Sequence, residues 1–198
     1  MNHRLFAALD LPANVLEALA EVMARLREAL PRQSVRWARP NGIHLTVRFY
    51  GETQMEQVTA LQDSLTKATA GLGPIELELN GLGVFPNAVA PRVIWAGVAG
   101  DVDSAQKIQT ALESDARALG LRPETRPFTP HLTLGRVNPL RASDKQKLNQ
   151  RLKATPIKSP GRFVVNRLSL IKSELKPMGA VYTSLFSVSL NGPRPSTI

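Results

Sequence analysis

Two stretches of this 198-residue chain decide how the rest is read: Arg39-Pro-Asn-Gly-Ile-His44-Leu-Thr46-Val47 and Arg126-Pro-Phe-Thr-Pro-His131-Leu-Thr133-Leu134. In each, Arg-Pro precedes a His-Leu-Thr-apolar segment at the same offset, the copies lie 87 residues apart, and two of the chain's three histidines fall in them. That period is too long for a solenoid, whose units run about 20–50 residues, and points to a duplicated structural half. Residues i and i+2 of a strand share a face. His44 and Thr46 therefore look one way while Leu45 and Val47 face the core, and His131 and Thr133 repeat the pattern against Leu132 and Leu134. Two such strands facing a shared cleft bring two imidazoles and two hydroxyls together.

That inventory suits phosphodiester chemistry. Cleaving a phosphorus–oxygen bond with water needs a base for the water proton and an acid for the departing oxygen. Imidazole, with an unperturbed pKa near ~6.5, serves either role, so two histidines can hold opposite protonation states at neutral pH. Each positioned acid or base is worth about 10²- to 10⁴-fold in rate, and hydroxyl donors aimed at the non-bridging oxygens stabilise the charge that grows there. A lone strand His is ordinarily a packing or surface residue, and Thr is simply a good strand former. Packing gives no reason for the two to recur together, so His44 and His131 are expected to be catalytic. Zinc is the competing chemistry. Two histidines supply too few ligands, and His3 stands apart near the N-terminus, so no metal or cofactor is expected.

Outward from these segments, residues 4–9 read as a strand, and Leu11-Pro12 opens a helix with Val15, Leu16, Leu19, Val22, Met23, Leu26 and Leu30 at helical spacing. Residues 35–37 are strand-like. Thr53-Gln-Met-Glu56 has the capping-box pattern and predicts a helix over 53–69. Ile75, Leu77 and Leu79 alternate with Glu76 and Glu78, and residues 92–98 form a β-rich run. Asp101 or Asp103 caps a third helix that stops at Gly120; a shorter helix covers 143–153, and strands over 162–172 and 181–190 close the chain. Strand order is mostly not βαβ, which argues an α+β fold.

Composition sets the outer bounds. The 43% apolar content is enough for a core, no linker divides the chain, and one continuous fold over residues 1–198 is expected. There is no cysteine, which excludes disulfide and thiolate chemistry. No apolar stretch approaches the roughly 18–20 residues of a membrane span, and the first ten residues lack a signal-peptide layout, so a soluble cytoplasmic protein is expected. Net charge is +9, and residues 117–176 alone carry fourteen Lys/Arg against three acids. Such a field favours nucleic acid or another phosphate-rich ligand. Lys145, Lys147, Arg151 and Lys153 equally read as the solvated face of a helix.

On these residues the chain resembles the two-histidine (2H) phosphoesterase superfamily, and within it the bacterial RNA 2',3'-cyclic phosphodiesterases, also called 2'-5' RNA ligases. The H-x-[ST]-apolar motifs of that group are matched by His44-Leu-Thr46-Val47 and His131-Leu-Thr133-Leu134. The likeness extends through Arg4-Leu-Phe-Ala-Ala-Leu-Asp-Leu-Pro12, Phe49-Tyr-Gly-Glu52, Pro91-Arg-Val-Ile-Trp95, Ser173-Glu-Leu-Lys-Pro-Met-Gly179 and Tyr182. It implies a bilobal fold with a pseudo-two-fold axis, two antiparallel sheets lining a central cleft and helices outside. It also implies metal-independent opening of RNA 2',3'-cyclic phosphate ends to a 2'-phosphate. By the same resemblance His44 is the acid for the leaving 3' oxygen, His131 the base for water, and Thr46 and Thr133 hold the phosphate. Spacing alone leaves the two histidines' roles exchangeable.

The resemblance adds Arg136, five residues after the second His, as a phosphate or nucleotide contact. Ideal strand alternation turns Arg136 away from His131, so a twist, bulge or strand end at Gly135 is required. Arg48, four residues after His44, has cleft-side parity and is a further candidate contact. Phe49 occupies the position matching Arg136 and either stacks a base or packs in the core. The expected partner is RNA with a 2',3'-cyclic phosphate end, or a related cyclic nucleotide, met by a monomer with no membrane involvement. RNA ligation through a 5'-hydroxyl, and a non-catalytic RNA-binding module, are the alternatives.

Overall fold

The computed structural model describes residues 2–157, 161–176 and 179–193. Lys158 of the basic stretch, and Pro177 and Met178 of the matched segment, lie outside them. The elements run β1 (Asn2–Leu9), α1 (Ala13–Ala29), β2 (Val35–Trp37), β3 (Leu45–Gln54), α2 (Val58–Thr69), β4 (Ile75–Phe85), β5 (Val93–Gly100), α3 (Val102–Ala118), β6 (His131–Val137), α4 (Ala142–Ala154), β7 (Arg162–Val165), β8 (Arg167–Lys176) and β9 (Gly179–Ser189).

The strands form an antiparallel sheet in the order β7-β4-β5-β6-β3-β1-β8-β9, with β2 also lying along β6. Its centre is narrow: β3 and β6 share a single register pair, Leu45 with Leu132. The two expected sheets are therefore two four-stranded arms meeting at that point. Read outward from it, β3-β1-β8-β9 answers β6-β5-β4-β7. The chain threads both arms. After β1, α1, β3 and α2 it crosses to place β4 in the far arm, and after β5, α3, β6 and α4 it returns through β7 to place β8 in the first.

Alternation decides which face is covered. Leu5, Ala7 and Leu9 of β1, Leu45 and Val47 of β3, and Leu132 and Leu134 of β6 are buried in one core with Leu19 and Leu26 of α1, Leu61 and Leu65 of α2, Ile108 and Leu112 of α3, and Leu148 and Leu152 of α4. All four helices thus pack on one face. Phe6, Ala8 and Ile171 form a separate small cluster on the other, which stays open as the cleft. No helix among the described residues is long and apolar enough to cross a membrane.

Two local expectations are corrected. Thr53 caps no helix: it lies in β3, fully buried, and its hydroxyl donates to the Gly51 carbonyl at 3.2 Å. The capping box is formed one residue later by Gln54 and Gln57 around a 3₁₀ turn, and α2 starts only at Val58. The strand read over 162–172 is two strands divided at Asn166, whose carbonyl accepts from Leu190 at 2.8 Å. Asp101, rather than Asp103, caps α3, accepting from the Ser104 amide.

Candidate active site

The Leu45–Leu132 pair sets the geometry. Equivalent residues of the two motifs face each other across antiparallel strands, so a local two-fold passes between them. Extending that register by one residue sets His44 across from Thr133 and Thr46 across from His131, all on the face opposite the helices. His44 sits just before β3 and His131 opens β6. The two rings are close enough that charge on His131 disfavours charge on His44. Neither threonine hydroxyl is engaged by the described residues, so both remain available as donors.

Each imidazole is anchored the same way. His44 Nδ1 lies 2.8 Å from the Gly42 carbonyl and His131 Nδ1 lies 2.7 Å from the Thr129 carbonyl. A carbonyl only accepts, so Nδ1 carries the hydrogen and Nε2 is left for the cleft in both rings. Pro40 helps fix the first anchor by opening the 3₁₀ turn Pro40–Gly42 that presents the Gly42 carbonyl. Burial lowers both pKa values. His44 is brought down to about 4, chiefly by desolvation, against the raising effect of its Gly42 hydrogen bond, and the His131 charge adds to the lowering. His131 is lowered by desolvation and by the Arg126 guanidinium.

Both central strands carry a bulge at the same place in the motif. In β3, Thr46 pairs with Ala8 and Arg48 with Ala7, leaving Val47 extra; in β6, Thr133 pairs with Trp95 and Gly135 with Ile94, leaving Leu134 extra. A bulge inverts the alternation beyond it. Arg136 consequently pairs with Val93 on the cleft face and is exposed, and Phe49 pairs with Phe6 on the same face. The bulge falls at Leu134 rather than at Gly135. Gly135 serves the back face instead, where a Cβ would stand 2.7 Å from Val35 Cγ1.

The same inversion removes Arg48 from the cleft, correcting its expected parity. Arg48 is buried on the helix side, paired with Glu113 of α3 and donating to the carbonyls of Phe49 and Arg122. The structure thus brings His44, His131, Thr46, Thr133, Arg136 and Phe49 to one face and turns Arg48 to the other.

With that geometry in place the comparisons decide the family. The model of the LigT-like phosphoesterases matches residues 9–95 and 98–182. The chain belongs to that family. A relative from Methanothermobacter thermautotrophicus named RNA 2',3'-cyclic phosphodiesterase is 31% identical over 93% of this chain and 97% of its own. A crystal structure from Thermus thermophilus superposes with a TM-score of 0.77 at 28% identity, covering 96% of this chain and 98% of that one. E. coli LigT complexed with 3'-AMP gives 0.75 at 26% identity over 96% and 99%.

This LigT-like phosphoesterase also surrounds its histidines with aromatic rings, of which Phe6, Trp95 and Tyr182 fall in the segments that carry the resemblance and Phe85 does not. Phe6 stacks on His44 at 4.6 Å between centroids and Tyr182 meets the same ring edge-on at 5.2 Å, while Phe85 meets His131 edge-on at 4.9 Å. Trp95 lies beside Phe85, its ring occupying the space a Cβ at Gly83 would fill. Phe6 was recoverable from sequence: with Leu5, Ala7 and Leu9 facing the core, an aromatic on the opposite parity has to face something else. Phe85 was not, because the β4 alternation is broken by a register shift between Leu79 and Leu82 and resumes inverted.

Proposed function

We propose that this LigT-like phosphoesterase is an RNA 2',3'-cyclic phosphodiesterase that opens the cyclic phosphate to a 2'-phosphate. The observation that carries the reading is the pair of Nδ1-anchored imidazoles, each beside a free threonine hydroxyl, on one face about the Leu45–Leu132 pair. In this scheme His131 Nε2 takes a proton from water as the water oxygen bonds to phosphorus. The bond from phosphorus to the 3' oxygen breaks, and His44 Nε2–H supplies the proton to that oxygen. Thr46 and Thr133 donate to the non-bridging oxygens, where negative charge accumulates. The two proton transfers balance, and solvent restores the starting protonation states. Each bound phosphate oxygen carries charge that raises the imidazole pKa values, offsetting the desolvation that keeps both rings neutral in the empty cleft.

Supporting the substrate class are the relative named above and the 3'-AMP in its E. coli structural neighbour. We further infer that residues 1–198 form one bilobal domain of two duplicated halves, acting as a cytoplasmic monomer. The deciding experiment incubates the protein with an oligoribonucleotide bearing a 2',3'-cyclic phosphate, in excess EDTA, and identifies the product end. Turnover to a 2'-phosphate is expected. A 3'-phosphate product, or activity abolished by the chelator and restored by a divalent metal, overturns the two-imidazole scheme.

A further inference from the structure

A concavity also lies away from the cleft. Where α1 ends and β2 begins, a cavity of about 190 Å³ is lined by Arg27, Leu30, Arg32, Gln33, Ser34 and Trp37. Leu30 belongs to the core, and the Trp37 ring lies on the back of β6, where a Cβ on Gly135 would stand 3.3 Å from its Cε3. The cavity is therefore on the helix side of the sheet, opposite the histidines. The stretch that builds it, residues 25–39, holds five arginines against a single acid, Glu28. Arg27 and Arg32 are both exposed, and among the described residues neither makes a hydrogen bond or ion pair. A cation in the last turn of a helix is ordinarily explained by the helix dipole. That accounts for Arg27, but not for Arg32, which lies past the helix, nor for what surrounds the pair.

Three features prepare these groups for an anion. The Arg27 guanidinium lies over the Trp37 ring, 5.8 Å from its centroid. An arginine laid on an indole is already ordered and keeps its N–H edge open, so less entropy is lost when a ligand arrives. Ser34 is only 7% exposed, yet its hydroxyl has no partner among the described residues. A largely buried hydroxyl gains more from a ligand oxygen than an exposed one, which already has water. Gln33 is the one non-glycine residue among the described residues in the left-handed region, with φ at 64°, a conformation disfavoured wherever there is a Cβ. Asn138 holds the turn in it, its Nδ2 donating to the Gln33 carbonyl at 2.6 Å and its amide to the Ser34 carbonyl at 2.9 Å. The volume then selects the ligand. Pockets for whole small molecules run about 300–1,000 Å³, so this one is too small for a nucleotide, and the Trp37 face that would stack a base is taken by Arg27. One phosphate group with part of its sugar fits, gripped by two guanidinium edges and a hydroxyl.

We propose that Arg27, Arg32 and Ser34 bind a backbone phosphodiester of the RNA remote from its reacting end, so that the enzyme holds a long RNA more tightly than a short one at a site separate from the cleft. This rests on the cyclic phosphodiesterase reading for its substrate and extends that reading from an end group to a chain. Val35 of β2 pairs with Val137, the last residue of β6 and about 13 Å of strand beyond Thr133. An RNA that runs out of the cleft along β6 reaches the cavity by rounding the end of that strand, a path closed to a dinucleotide.

The test compares two substrates with the same 2',3'-cyclic phosphate end, a dinucleotide and an unstructured oligoribonucleotide several times longer. It is run on the wild type, Arg27→Gln, Arg32→Gln and Lys147→Gln, the last on the exposed face of α4. In the wild type the longer substrate should have the lower KM. Arg27→Gln and Arg32→Gln should each raise that KM about 10-fold at low salt, the loss expected for a charge-assisted contact, and leave kcat/KM for the dinucleotide unchanged. The slope of log affinity for the longer RNA against log salt should shrink by about 0.7, the share of one single-strand phosphate. Lys147→Gln should alter none of these. The subsite is overturned if the longer RNA has no KM advantage in the wild type, if its KM is unchanged in either arginine variant, or if Lys147→Gln raises it equally. An equal loss on the dinucleotide also overturns it, since that marks a site for small free anions or a damaged fold. Failure of the wild type to open either cyclic end overturns the phosphodiesterase reading instead, and the subsite is then judged by fluorescence anisotropy of the same oligoribonucleotide, labelled at its 5' end, against the same four proteins.

Discussion

His44 and His131 share an anchor but not an environment, and the difference is measurable. Because both are lowered, His44 to about 4, the form with one ring protonated is most abundant on the acid side of neutrality. For the free enzyme kcat/KM should therefore peak on the acid side of neutrality, while kcat, which reports the complex, should peak at higher pH because the phosphate charge favours protonation. Coincident profiles centred at neutral pH would show that the rings are not desolvated as described. Replacing either histidine with Ala should lower kcat by at least about 10²-fold with the fold intact by circular dichroism. Their division of labour is separable by leaving group. A substrate with sulfur at the bridging 3' position needs no proton to depart, so it should rescue His44→Ala and leave His131→Ala impaired; the reverse pattern would exchange the roles.

At the scale of the element, the two bulges decide what each strand presents, and they mark where sequence reading stops. The parity of His44, Thr46, His131 and Thr133 was legible because all four precede the bulges at Val47 and Leu134. Arg48 and Arg136 follow them, and an extra unpaired residue leaves no pattern in a run such as Leu-Thr-Val-Arg-Phe. The structure gives Arg48 a mechanical task. Through Glu113 and the Arg122 carbonyl it ties β3 to α3 and to the segment that leads into β6. Glu113 is held below the usual carboxylate range despite its burial, by Arg117, the Glu124 amide and Arg48. Arg48→Met should therefore cost roughly 3 kcal/mol in urea denaturation, the lower end for breaking a buried ion pair, since Arg117 and the Glu124 amide still face the carboxylate. A loss under about 1 kcal/mol would mean the ion pair contributes little to holding these segments together.

For the whole molecule, composition and element order were enough to indicate an α+β protein, and the repeated motif was enough to indicate two arms about a cleft. What no local signal carried was the crossing of β4 and β8 between the arms, because a strand's own residues record its faces and not its neighbours. That crossing makes each arm's third strand a donation from the other half of the sequence. A cut in the loop over residues 86–92 should accordingly yield two pieces that are each unfolded or aggregated when expressed alone, and that recover circular dichroism and turnover when expressed together. Independent folding of either piece would count against this. The interlaced threading also means that loosening either arm withdraws a strand supplied by the other part of the chain, so the separation of the two imidazoles depends on the integrity of both arms at once.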